Sequence, residues 1–413
     1  MGDLIFAQSN GRKIPLEDKI FGISNKAKKM IAERGKDAVV NATIGALLDD
    51  NGNLIVLSSV VDVLKNLSPT EFAEYAPIGG IPEFRSAILE AALGKKYAPK
   101  CFAEAVATPG GTGSIRNTIS NYSAVGDKVL TSDWYWAPYG TIASEIGRSI
   151  DTFSLFDEKG AFNAVGFEEK VKELLAAQNQ LVIILNTPAH NPTGYALTNA
   201  DWESVLSALC RQASTEKKVT ILVDVAYIDF AGDEEECRSF LPLFEKLPEN
   251  ILPVVAYSLS KTFTLYGMRC GAMICLAKTK EIAEEFKRVC EYSSRGSWSN
   301  CCRAPQSVLA KIHADERLLA KVDSEREQYR NMLLARGHAF EQAAAEAGLK
   351  TVPFDAGFFA SIPCDNPDAI AERLQEEGIF LIPLAKGLRV SIASVSEEKC
   401  RMLPKKIRAA MDK

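Results

Sequence analysis

Short apolar runs alternate with amphipathic stretches along most of the chain. The runs at 128–131, 149–155, 181–186, 219–225, 251–258 and 271–277 have strand length. Most are apolar on both faces, as a sheet covered on both sides requires. Between them, 167–177, 201–213 and 280–292 carry apolar residues at helical spacing. Strand, helix, strand over a few hundred residues predicts an α/β fold with a mostly parallel sheet covered by helices. Ligands in such sheets collect at the carboxyl ends of the strands. After about residue 300 the pattern changes to a long helical segment, 305–347, and then short strands near 357–362 and 388–392. This predicts a large domain over 49–303 and a smaller α/β domain over 304–413, with residues 1–48 packing on the smaller one. Internal repeats and low-complexity stretches are absent.

A chain of 413 residues has room for two domains. Its net charge of −5 is spread along the sequence without a basic block, which argues against nucleic acid or a membrane surface as partner. No apolar run approaches the roughly 20 residues of a membrane span. The first eight residues lack the charged and hydrophobic regions of a signal peptide. Gly2 invites an acylation reading, but Phe6 stands where serine or threonine is wanted. The ten cysteines show no metal-ligand spacing, so reduced, mostly buried thiols in a cytoplasmic protein are expected.

The chemistry gathers after the strand positions. Lys261 lies in Tyr257-Ser258-Leu259-Ser260-Lys261-Thr262, directly behind the apolar run 251–256, and Arg269 follows. Desolvation at a strand end disfavours an ammonium group, and a neutral amine can form a Schiff base with an aldehyde. Ser258 and Arg269 add a hydroxyl and a permanent cation, suited to a phosphate monoester. Amine, aldehyde and phosphate together describe pyridoxal 5'-phosphate. A lone S-x-x-K would be an ordinary loop lysine; four other segments supply the remainder of a site here. Gly110-Gly111-Thr112-Gly113 precedes a helical run starting at Ile115, and is either a plain helix start or half of a phosphate cup. Asp224 ends an apolar strand, where it can pair with a pyridinium N–H or cap the next helix. Tyr227 and Asn191, the latter in Asn191-Pro192-Thr193-Gly194, can reach the ring's phenolic oxygen. His190 reads as a structural histidine. Trp136, followed by Tyr139, either stacks on the ring or packs in the core.

Asn191-Pro-Thr-Gly, Asp224 with Tyr227, Ser258-x-Ser-Lys261 and Arg269, in this order and spacing, resemble the fold-type I pyridoxal-phosphate aminotransferases, in particular the aspartate and aromatic amino acid group. The resemblance runs from about Gly45 to Arg389. It implies a seven-stranded sheet and a homodimer with shared active sites, in which Tyr75 reaches the neighbouring subunit's cofactor phosphate. It implies that Arg389 pairs with the substrate α-carboxylate, that Gly45 contacts the substrate through its backbone, and that Trp136 and Asn191 face the substrate as well as the cofactor. Arg295 resembles the position that grips a side-chain carboxylate from the partner subunit, with a solvated loop arginine as the competing reading. Two positions depart from the group: Gly110 stands where serine is common, and Tyr139 where histidine is usual.

The implied activity is transfer of an amino group from an L-amino acid to a 2-oxo acid such as 2-oxoglutarate, with ping-pong kinetics. A β-lyase or amino acid decarboxylase would use the same residues. The effector domain of a transcriptional regulator shares the fold, but some forty leading residues leave little room for a DNA-binding domain.

Overall fold

The six predicted apolar runs, most of them buried on both faces, join one further strand in a seven-stranded sheet. The computed structural model describes residues 4–413, so the readings that rest on Met1, Gly2 and Asp3 lie outside the described residues. The strand order is Phe102–Thr108, Gly271–Ala277, Ile251–Ser258, Lys218–Asp224, Gln180–Asn186, Lys128–Ser132, Ser149–Phe153. Only Gly271–Ala277 runs against its neighbours; the other pairings inside the sheet are parallel. Val182, Ile184, Leu222, Val254 and Met273 are fully buried on one face, against Ile115 and Ile119 of the helix Gly110–Tyr122 and Phe286 of Lys280–Ser297. Each such side chain contributes about 1.5–3 kcal/mol by leaving water.

Three expectations about elements change. The strand Phe102–Thr108 escapes the pattern because three of its seven residues are alanine and its first half is partly exposed at the sheet edge. The helix after the glycine turn begins at Gly110 rather than Ile115. The long segment 305–347 is two helices, Arg303–His313 and Glu316–Glu346. Asp315 interrupts it by accepting from the N–H groups of Arg317 and Leu318, a cap that starts a second helix.

The chain divides into two compact units. The larger comprises 56–188 and 197–327 and contains the seven-stranded sheet; the smaller comprises the residues up to 55, 189–196 and 328–413. The division near 327 falls inside a helix, where periodicity is the same on both sides, so the pattern change near residue 300 does not mark it. Within the smaller unit, Val40–Asn41 pairs in parallel with Ile379–Phe380, and Ile23 and Ala27 of the helix Lys19–Arg34 pack beside them. A second sheet there runs Ile382–Leu384, Gly387–Ser391, Phe359–Pro363, all antiparallel. Five of the ten cysteines are buried, fewer than the expected majority. Among the described residues no helix is long and apolar enough to cross a membrane, and no cluster of His, Cys, Asp and Glu could hold a metal.

Candidate active site

In the larger unit, the carboxyl ends of adjacent parallel strands bring the chemistry-bearing residues together. Asp224 closes Lys218–Asp224 and is 6% exposed. Its Oδ2 accepts from the Tyr139 hydroxyl at 2.6 Å, and Tyr139 is 1% exposed. The N–H of Ala226 approaches Oδ1 at 3.3 Å. Burial raises the Asp224 carboxyl above the ordinary carboxylate range, while the Tyr139 hydroxyl, the Ala226 N–H and the Lys261 charge act against that rise. Burial and the Asp224 charge push the Tyr139 hydroxyl far above its ordinary value, so it stays a donor. The position that departs from histidine is thus Asp224's direct partner, and the sequence reading had not placed it in the site.

Lys261 sits in the short helix Leu259–Thr262, which Ser258 opens by accepting from the Ser260 N–H at 3.2 Å. Its Nζ lies 5.8 Å from the centre of the Tyr227 ring and 4.6 Å from that of Tyr266. Tyr266, also absent from the sequence reading, arrives because the chain turns back before Arg269. Arg269 adopts a left-handed backbone, φ 47°, and its guanidinium donates to Ser260 Oγ at 3.1 Å and to the Tyr266 carbonyl at 2.9 Å.

Gly110, with φ +70°, lies against that guanidinium: a Cβ there would stand 2.8 Å from Arg269 Nη2. The Arg269 tip can shift to admit a Cβ, but the positive φ itself favours glycine over serine at this position. Beside it, a Cβ on Gly111 would lie 3.7 Å from Ser258 Cβ. The amino end of a thirteen-residue helix, a guanidinium and the Ser258 and Ser260 hydroxyls thus line one small region, a donor set for a phosphate group. With the Lys261 amine and the buried acid Asp224 in the same unit, these residues fit the phosphate, the aldehyde and the ring nitrogen of pyridoxal 5'-phosphate.

Trp134 is buried and Trp136 half-buried, its ring edge-on to Tyr139 at 5.5 Å. Thr112 and Tyr75 are exposed, Tyr75 at 87%. Arg295, also exposed, donates to Ser299 Oγ at 2.6 Å, four residues along its own chain segment.

The smaller unit brings together Arg389, Asn191 and Gly45. Arg389 is 4% exposed on the central strand of the antiparallel sheet. It donates to Asn191 Oδ1 at 3.2 Å and to the Thr43 carbonyl at 2.7 Å, and its guanidinium lies 4.4 Å from the centre of the Phe359 ring. A Cβ on Gly45 would overlap that ring. Thr43 and Phe359 have no signature in sequence, one acting through a backbone carbonyl and the other looking like core. His190 is buried, with Nδ1 2.8 Å from Thr193 Oγ1, as a structural histidine should be.

Residues 37–407 match the family Aminotransferase class I and II. Aspartate aminotransferase of Escherichia coli K12 is 27% identical, covering 90% of this chain and 93% of that one. The crystal structure of an aminotransferase from Anaerococcus prevotii DSM 20548 is 39% identical, covers 99% of this chain and 100% of that chain, and superposes with a TM-score of 0.96. An aromatic-amino-acid aminotransferase from Burkholderia pseudomallei, covalently bound to pyridoxal phosphate, shares the fold at 22% identity, with 98% and 100% coverage and a TM-score of 0.79.

Proposed function

The chain belongs to the aminotransferase class I and II family, whose cofactor is pyridoxal 5'-phosphate, and we propose that it transfers the amino group of aspartate, of an aromatic L-amino acid, or of both, to a 2-oxo acid such as 2-oxoglutarate. One observation carries this reading: in the larger unit a lysine amine lies over two tyrosine rings, with a buried acid and an arginine–glycine phosphate cradle.

When bound, the cofactor supplies an electron sink conjugated to the α-carbon of the amino acid it carries. Lys261 Nζ would hold its aldehyde carbon and would supply the base for the donor's α-proton. Asp224 would hold the proton on its ring nitrogen. By the family resemblance, Tyr227 and Asn191 would each serve the phenolic oxygen, and Trp136 would cover the ring face and exclude water. Gly111, Thr112, Gly113, Ser258 and Arg269 would hold the phosphate. Arg389 grips the α-carboxylate with its planar fork, and Gly45 faces the same carboxylate through its backbone. Both substrate carboxylates are anionic, so a second arginine, Arg295, suits the side chain of aspartate. A long arginine can also swing away to admit an aromatic ring. The exposure of Tyr75 and Arg295 suits residues that act across a homodimer interface, and the ten free cysteines suit a cytoplasmic setting.

The test is amino-donor kinetics with 2-oxoglutarate on wild type and Arg295→Ala. Aspartate and glutamate should lose about tenfold or more in kcat/KM, while phenylalanine and tyrosine stay within about twofold. Equal losses for both classes would end the dicarboxylate assignment. Absence of transfer from either class would end the substrate reading.

A further inference from the structure

Asp229 takes no part in the roles assigned above, yet its side chain is 8% exposed and bound from several directions. Oδ2 accepts from the Tyr257 hydroxyl at 2.9 Å and from the Thr262 hydroxyl at 2.8 Å. Oδ1 accepts from Arg238 Nη2 at 2.6 Å, and Arg326 Nη1 lies 3.6 Å from Oδ2. Burial alone would raise this carboxyl, but the two guanidiniums overcome it and hold the group down at about 2, a carboxylate throughout the working pH range.

The positions of these partners along the chain matter more than their number. Asp229 lies in the turn Ile228–Phe230, immediately after Tyr227 and close behind Asp224. Tyr257 precedes Ser258, and Thr262 follows Lys261. One carboxylate oxygen therefore binds both flanks of the segment that carries the lysine, from the turn that carries the acid and the tyrosine. The carboxylate is itself anchored. Arg238 also donates to the carbonyls of Ala91 and Ala92 at the end of the helix Pro82–Leu93. Arg326 lies 5.4 Å from the centre of the Phe263 ring and pairs with Asp323.

We propose that Asp229 is a positioning residue for the amine: by accepting from Tyr257 and Thr262 together, it sets Lys261 against Tyr227 and Asp224. The inference rests on Lys261 being the residue that binds the cofactor. Without the clamp, the short helix Leu259–Thr262 is free to shift by a fraction of an ångström, and misplacement on the order of 1 Å can cost about a hundredfold in rate.

Replacing Asp229 would leave the buried Arg238 without its carboxylate and threaten the fold, so the test removes the donors instead. Tyr257→Phe and Thr262→Val leave Asp229 paired with both guanidiniums, and Thr262→Ser keeps the hydroxyl. Full-length protein freed of cofactor is recharged with pyridoxal 5'-phosphate. The amine and aldehyde condense with loss of one water, followed by absorbance, and borohydride then reduces the C=N bond so that the modified peptide can be sequenced. The double variant should capture the cofactor on Lys261 about tenfold more slowly and lose about ten- to a hundredfold in kcat, with donor KM within about twofold. Thr262→Ser should restore capture and kcat relative to Thr262→Val. If the double variant does not fold, the two single variants are read by the same criteria, with smaller expected losses. Wild-type capture and kcat in folded variants, or losses in Thr262→Ser as large as in Thr262→Val, would overturn the proposal. An adduct on a different lysine in the wild type would instead overturn the Lys261 assignment, an outcome the peptide sequence distinguishes.

Discussion

Tyr139→Phe deletes one oxygen and leaves the surrounding packing in place. The ring keeps its edge contact with Trp136 at 5.5 Å and its stacking on Tyr135 at 6.4 Å. What disappears is the 2.6 Å bond to Asp224, within the range of charge-assisted O–H···O⁻ bonds. The remaining Ala226 N–H, at 3.3 Å, is too distant to replace it. A hydrogen bond to a buried charge contributes about 1.5–3 kcal/mol, so the cofactor-free variant should lose about that much stability when Asp224 is ionised. The pH dependence has a definite sign. Burial already raises Asp224 above its unfolded value, and removing the Tyr139 donor raises it further. Between the unfolded and folded pKa values the folded state binds more protons, so this group's contribution falls as pH rises through that window. The deficit of the variant is therefore full only above the variant's own, higher folded-state pKa. Below it the deficit shrinks toward a neutral bond's worth, about 0.5–1.5 kcal/mol. Urea denaturation of both cofactor-free proteins at matched concentration, from about pH 8 to about pH 4, measures it. A deficit under about 0.5 kcal/mol at the alkaline end, or one that does not change with pH, would refute the reasoning.

Two further outcomes are expected. Arg389→Lys keeps the charge but loses the fork that reaches Asn191 and Thr43, so kcat/KM should fall for all amino donors together, by about ten- to a hundredfold; a donor-dependent loss in steady-state assays would point to the side-chain pocket instead. Gly45→Ala drives a methyl into the Phe359 ring beneath the Arg389 guanidinium, so donor KM should rise while cofactor capture on Lys261, read by absorbance, stays unchanged.

The α/β reading succeeded where burial on both faces forces continuous apolar runs, as in Gln180–Asn186 and Ile251–Ser258. It failed where that force is weak, at the alanine-rich edge strand Phe102–Thr108, and where a local cap competes with periodicity, at Asp315. Residues whose chemistry is carried by their own side chain at a strand end, such as Lys261 and Asp224, were legible as candidates once the other segments of the motif were read with them. Tyr266, Thr43 and Phe359 were not, because they contribute a ring or a backbone carbonyl brought in by the chain path.

The amino-acid pattern alone was enough for the layered fold, the order of the candidate site residues and the cofactor they fit, because strand periodicity and side-chain chemistry are local properties. Only the tertiary structure decided which of these residues meet. It joined Tyr139 to Asp224 across 85 positions, set Gly110 against Arg269, and grouped Asn191 with Arg389 in the smaller unit across 198. Hydrogen bonds and desolvation depend on distances of a few ångströms between side chains, and no spacing along the chain specifies those until the strands have paired and the turns between them have closed.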